Sequence, residues 1–238
     1  MLDQFSLWKT GLFCYIGWMN EQVEKKEIPE ILLIDKPKGI TSFDVIRILR
    51  KKLGVRKMGH SGTLDPLASG LLVLGIGTGT KKLAEFIKLD KVYEAYVLLG
   101  KQTATGDMEG KILREIKTPD FSEEEINEVL EKIVGVIKLP VPAYSAIKKE
   151  GVTLYSIARA GGTVEVPIKE MFVYWVKLLG HSREGDNYIL HIELKVKSGT
   201  YIRSISEEIG RLLNIPATIK DLRRLSVGDF LVKEADTI

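Results

Sequence analysis

Apolar positions recur along the chain from Ile31 onward with periods that predict its elements. Ile31–Ile34 is a run of four apolar residues and reads as a short strand, followed by a turn at Pro37–Lys38–Gly39. Val45, Ile46, Leu49 and Leu53 share one face of a helix that Ser42 caps and Gly54 ends. Leu71–Ile76 is continuously apolar, the pattern of a buried strand. Lys81–Lys88 reads as a helix with Leu83, Phe86 and Ile87 inward, and Tyr93–Leu99 as another strand. Ser122 and Glu125 form a capping-box pattern that opens a helix over Ile126, Val129, Leu130 and Ile133. Pro140–Val141–Pro142 breaks the chain, and a short helix over Thr153–Arg159 stops near Gly161–Gly162. Ile168–Leu179 is a long strand rich in aromatics. In Tyr188–Val196, Tyr188, Leu190, Ile192, Leu194 and Val196 face one way and His191, Glu193 and Lys195 the other. Tyr201–Asn214 is the last helix, with Ile202, Ile205, Ile209 and Leu212 on one stripe. There is no internal repeat. The irregular alternation, with long strands late, predicts an α+β fold with a mixed sheet and helices against it, not a doubly wound one.

The first thirty residues fit none of this. Leu7–Met19 is mostly apolar and Asn20–Glu30 is polar and charged. The apolar stretch is short, Asp3 precedes it and no Ala-x-Ala site follows, so a signal peptide fits poorly. Residues 1–30 read as an N-terminal extension, with Met19 an alternative start. Composition narrows the classes. Of 238 residues, 45% are hydrophobic and 28% charged, which is ordinary for a globular chain and too apolar for disorder. The one cysteine, Cys14, excludes an intramolecular disulfide and thiolate-rich metal sites. His60, His181 and His191 have no metal-binding spacing, and no apolar run reaches the length of a membrane span.

The net charge is only +3, but it is unevenly spread. Between Ser42 and His60, Arg47, Arg50, Lys51, Lys52, Arg56 and Lys57 oppose Asp44 alone, a balance of +5. That segment is either a solvated helix face or a phosphate-contacting surface. It leads into Gly59–Gly70, GHSGTLDPLASG, the densest glycine–polar stretch. There Pro66 restricts Asp65 to an extended backbone. A rigid loop presenting one acid suits a nucleophile or general base, while an Asx-turn is the plain structural alternative. His60 lies beside it, either a hydrogen-bonded loop residue or a contact to a base or phosphate. Gly75–Thr80 is Gly-x-Gly-x-Gly, which matches neither the dinucleotide fingerprint nor the Walker loop. Lys220, Arg223 and Arg224 form a second basic cluster. Arg203, near a helix start where a cation is unfavourable, is either solvated at the surface or paired with a carboxylate, for which Asp65 is a plausible partner.

Five stretches together resemble the bacterial tRNA pseudouridine-55 synthases. They are LLIDKPKGITSFDVI (32–46), GHSGTLDPLASGLLVLGIGTGTK (59–81), DKVYEAYVLLGKQTATGDMEG (90–110), PAYSAIKKEGVTLYSIARAG (142–161) and SGTYIRSISEEIG (198–210). The resemblance implies a catalytic domain over 31–238 with a largely antiparallel bent sheet flanked by helices, and an RNA-clamping insert around 142–168. It also implies isomerisation of uridine to pseudouridine at position 55 in the T loop of tRNA, by base flipping. Asp65 would be the nucleophile, Arg203 its ion-pair partner, and Tyr93 the stacking residue and a candidate base. His60, Lys81, Arg50, Lys57, Lys148 and Lys149 would contact the RNA. The family needs no cofactor or metal, so tRNA is the expected partner, with no membrane, no obligatory protein partner, a monomeric state and a cytoplasmic location. Typical members continue into a small C-terminal RNA-binding domain, for which the residues after Leu225 leave no room. The alternatives are a guide-RNA-dependent or relaxed-specificity synthase, and a non-enzymatic RNA-binding or tRNA-folding protein.

Overall fold

The computed structural model describes residues 28–149, 151–162 and 165–238. Leu7–Met19, with Cys14 and Met19, lies outside the described residues. Backbone contacts divide the chain into two compact units, Met1–Phe86 with Asp229–Ile238, and Ile87–Gly228. Among the described residues no helix is long and apolar enough to cross a membrane.

In the first unit, strand β1 (Ile31–Lys36) pairs antiparallel with β3 (Ser69–Ile76), and β2 (Met58–His60) pairs antiparallel with the other end of β3. Every residue of β3 is buried, as its continuous apolar run predicts. Helix α1 (Ser42–Leu53) lays Val45, Ile46 and Leu49 on Leu32, Ile34, Leu72 and Leu74. Truncating a leucine as enclosed as Leu49, 1% exposed, costs about 2–5 kcal/mol. The cap of α1 differs from the expectation. Thr41, not Ser42, accepts the Asp44 N–H at 3.0 Å, and the Asp44 carboxylate accepts the Thr41 N–H at 2.8 Å. Ser42 is turned inward at 2% exposure for another purpose, described below. Gly54 ends the helix with φ +68°.

Residues Gly77–Lys82 form a 3-10 turn, and α2 (Leu83–Lys88) begins after it. Leu83 is buried, as expected, but Ile87 is 46% exposed. A Cβ on Gly79 would lie 2.1 Å from the Glu30 carbonyl oxygen, and one on Gly75 2.8 Å from that of Gly79. These glycines serve close backbone packing. The C-terminal strand of this unit, Asp236–Thr237, runs parallel beside β1.

The second unit centres on β4 (Lys91–Leu99). Its sheet runs β12 (Ala217–Val227), β4, β11 (Asn187–Val196), β10 (Ile168–Glu184), β7 (Gly135–Pro140), with every pair antiparallel. The alternation expected in β11 holds: Tyr188, Leu190, Ile192, Leu194 and Val196 are buried. Helix α3 (Glu123–Lys132) has the Ser122–Glu125 capping box, and α5 (Ile202–Leu212) buries Ile202, Ile205 and Ile209. The hairpin β5 (Lys101–Thr103)–β6 (Ile112–Glu115) and the hairpin β8 (Lys148–Lys149)–β9 (Val152–Thr153) stand off the sheet. Helix α4 (Leu154–Arg159) follows, capped by Thr153. The architecture is α+β with largely antiparallel strands, as the sequence predicts. Strand β12 is the longest of the strands the hydrophobic pattern misses, along with β7 and the short β2, β5, β6, β8 and β9. Pairing shifts at Ile219/Asp221 and Arg224/Ser226 break its period of two. Arg224, read from the sequence as part of a basic cluster, is 1% exposed.

Candidate active site

The loop carrying Asp65 is short and held at several points. Its first end is β2, whose His60 pairs with Leu74, and the Ser61 N–H continues the ladder to the Val73 carbonyl at 2.9 Å. Its middle rests on Ser42: the Ser42 hydroxyl accepts the Leu64 N–H at 2.8 Å and donates to the Leu64 carbonyl at 3.1 Å. Leu64 is itself buried and anchors the loop to the core. The Ala68 N–H donates to the Asp65 carbonyl at 3.1 Å, closing the turn around Pro66. The Pro66 carbonyl in turn accepts the Gly39 N–H at 2.8 Å. That neighbouring turn is fixed by the fully buried Lys36, whose ammonium donates to the Pro37 and Ile40 carbonyls, both at 2.8 Å. Gly62 at φ +138° and Gly70 at φ +102° take conformations closed to most side chains. The half-buried Asp65 therefore projects from a backbone that cannot readily shift. His60 accepts the Gly62 N–H on Nδ1 at 3.3 Å.

In the second unit, Arg203 opens α5 and is 7% exposed. Its Nη1 donates to the Thr105 carbonyl at 2.8 Å and its Nη2 to the Tyr144 carbonyl at 3.0 Å. The Asp107 carboxylate, 4% exposed, stands 3.9 Å from Nη1. Asp107 is oriented by the Thr105 hydroxyl at 2.5 Å and the Glu109 N–H at 3.1 Å. Gly106 lets this turn close on the arginine: a Cβ there would lie 3.3 Å from that of Arg203. One turn along α5, burial raises the Glu207 carboxyl above its usual range, with Arg203 opposing. Tyr93 lies on β4, 9% exposed, directly across from Leu194 on one side and Arg224 on the other. Two residues earlier the Lys91 ammonium donates to the Ile87 and Leu89 carbonyls at 2.7 and 2.6 Å. Burial, reinforced by Arg224 and opposed by Asp90, lowers it to about 8.

The family model described as TruB family pseudouridylate synthase (N terminal domain) matches residues 50–202, a span that contains Asp65 and Tyr93 and stops one residue before Arg203. The chain belongs to the TruB family. Relatives in this family include the tRNA pseudouridine synthase B of Endomicrobium trichonymphae, 40% identical over 87% of this chain and 89% of that protein. The one from Xanthomonas euvesicatoria pv. vesicatoria (strain 85-10) is 38% identical over 92% of this chain and 70% of its own length. That of Tropheryma whipplei (strain TW08/27) is 39% identical over 91% of this chain and 58% of its own length. Among solved structures, a Cbf5-Nop10-Gar1 complex matches with TM-score 0.66 and 28% identity over 87% of this chain. The chain spans about half, 52%, of that solved chain.

The positions expected to contact RNA in this TruB-family chain fall into different environments. Lys57 and Lys81 are exposed in the first unit, as are Lys51, Lys52 and Arg56. Arg50 is half-buried. Its Nη2 donates to the Met58 carbonyl at 3.2 Å and its guanidinium lies 5.7 Å from the Phe43 ring, so it braces β2. Arg47 pairs with Asp44. In the second unit Lys148 is exposed on β8, and Lys149 is its neighbour on that hairpin. The sequence reading missed Ser42 as a loop anchor and Lys36, Asp107 and Tyr144 altogether. Asp107 lies in TATGDMEG, a string whose signal was resemblance alone. Tyr144 acts through its carbonyl, which no side-chain pattern reveals. Among the described residues no group of three His, Cys, Asp or Glu converges as a metal site.

Proposed function

We propose that this chain isomerises uridine to pseudouridine at position 55 in the T loop of tRNA, with Asp65 as the nucleophile. The observation that carries this reading is the GHSGTLDP loop, which aims one carboxylate from a backbone pinned through Ser42, Gly39 and β3. A pinned carboxylate has little reorganisation left to make in the transition state. Identity of 38–40% to proteins named tRNA pseudouridine synthase B, against 28% to Cbf5, favours tRNA over a guided RNA substrate.

The reaction breaks the N1–C1′ bond and forms a C5–C1′ bond. The C5 proton leaves and N1 gains one, so no electrons enter or leave. Asp65 supplies the nucleophile, Arg203 pairs with it and keeps it ionised, and Tyr93 stacks on the flipped base, with its hydroxyl as the base for C5. Flipping costs a few kcal/mol, which contacts from His60, Lys57, Lys81, Lys148 and Lys149 help to offset. The residues around 142–168 clamp the loop, and the Tyr144 carbonyl ties the start of that segment to Arg203. On this reading the enzyme works in the cytoplasm as a monomer, without cofactor, metal or obligatory protein partner.

Incubation with an unmodified tRNA transcript and mapping of pseudouridine tests it. Modification at position 55 alone is the expected result. Asp65→Asn should keep the melting temperature and bind tRNA, yet slow single turnover by at least about four decades, roughly 5.5 kcal/mol. A variant keeping about a tenth of the rate, with deamidation excluded by mass spectrometry, removes Asp65 from the chemistry.

A further inference from the structure

The aromatic strand β10 takes no part in the site above. Its pairing with β11 slips at Tyr174: Val173 faces Val196 and Trp175 faces Lys195. Tyr174 is the extra residue of a bulge, and bulges re-aim side chains. Here the bulge sets two consecutive aromatics beside one lysine. The Lys195 ammonium lies 5.3 Å from the centre of the Tyr174 ring, and that of Lys177 lies 4.8 Å from the Trp175 ring. Phe172 meets Tyr174 edge-on at 4.8 Å. The Tyr174 hydroxyl donates to Asp90 at 3.1 Å, which orients the ring. Tyr174 is 40% exposed, and Lys177 and Lys197 are exposed. A hollow of about 200 Å³, with Phe172, Lys197, Ser198 and Thr200 on its walls, extends the patch.

The patch is separate from Tyr93. Tyr93 pairs with Leu194 on the buried face, and Lys195 is the next residue, so its side chain stands on the opposite face. Lys177, Lys195 and Lys197 stand among three acids, Glu193 opposite Lys177, Asp90 on the Tyr174 hydroxyl and Glu170 on the wall of the hollow, so the placement of cations against rings, not an excess of charge, marks the patch. A protein-docking surface is dry and apolar at its centre, whereas here a cation accompanies each of the two central rings. Rings for stacking interleaved with cations for phosphates match the chemistry of unpaired nucleotides.

We propose that this face of the second unit binds an unpaired stretch of RNA. Two bases stack on Tyr174 and Trp175, and Lys177, Lys195 and Lys197 take the phosphates. The probe is a labelled oligoadenylate of about twelve nucleotides. It contains no uridine, so its binding is read independently of isomerisation, and the two readings fail separately. Tyr174→Ala with Trp175→Ala should weaken oligoadenylate binding at least about tenfold. Tyr174→Phe with Trp175→Phe keeps the rings and should keep most of the affinity. Lys177→Gln with Lys195→Gln, which leaves the rings intact, should flatten the slope of log affinity against log salt by about one unit. All three double variants should isomerise saturating tRNA at the wild-type rate. Wild type that does not bind oligoadenylate overturns the proposal. So does a folded alanine pair, or the glutamine pair, with wild-type affinity and slope.

Discussion

Asp65 and Arg203 both depend on backbone groups, but the groups come from different distances along the chain. The turn carrying Asp65 closes on itself between His60 and Ser69, with the His60 ring on the Gly62 N–H, and the Ser42 hydroxyl that anchors it lies 22 positions from Leu64. Arg203 reaches the carbonyl of Thr105, 98 positions away, and that of Tyr144, 59 away. The acid is aimed by local turn chemistry, whereas the arginine is aimed by the meeting of α5 with two loops. The two should therefore respond differently to substitution. The loop should tolerate small losses of support, because several bonds share it. The arginine depends on its own fork.

The sharpest break in that comparison is Arg203→Lys. Lysine keeps the charge but not two donors fixed in one plane, so it cannot hold both carbonyls. Single turnover should fall by at least about a hundredfold, or 2.7 kcal/mol, with much less change in tRNA affinity. A lysine enzyme within a few fold of wild type makes the fork dispensable and leaves charge as the only requirement. The matching cut in the loop is Ser42→Ala. It strands the buried Leu64 N–H and should lower stability by about 1–3 kcal/mol, read from denaturant midpoints. At temperatures where the variant is folded its rate should fall far less than that of Arg203→Lys. The reverse order of losses would show that Ser42 aims Asp65 directly.

Smaller again is the effect of the basic segment. Lys51, Lys52 and Lys57 are exposed, and their joint replacement by glutamine should weaken tRNA binding and lower its log–log salt slope by up to about one unit per lost phosphate contact. The rate at saturating enzyme should hold, since phosphate contacts position rather than react. Arg50→Ala is a poorer probe than the sequence suggests. It removes the bond to the Met58 carbonyl, so its melting temperature should drop where that of the lysine variant does not. Equal melting temperatures for the two would release Arg50 from its bracing role.

Much of the site was legible because it is local. Asp65 stands out through Pro66 and the surrounding glycines, and the helix before it through its apolar stripe and its lysines. The misassigned cap shows the limit of that kind of reading. Thr41 and Ser42 are chemically equivalent as caps, and only the demand of Leu64 for a partner draws Ser42 inward. Strand β12 was lost because two shifts in pairing erase the alternation that marks a strand. The bulge at Tyr174 was likewise invisible, although the aromatics themselves were plain.

The sequence by itself determined the α+β class, the buried strand β3, the alternation of β11 and the one acid in its rigid turn. Each rests on interactions within a few residues, where period, cap and backbone restriction act directly. The tertiary structure decided which groups surround Arg203, that Arg224 is enclosed, that Arg50 braces a strand, and that Tyr174 and Trp175 stand beside Lys195. These depend on strand register and on carbonyls brought from about 60 to 100 positions away. A backbone carbonyl is the same in every residue, so no pattern of side chains can announce which one an arginine will meet.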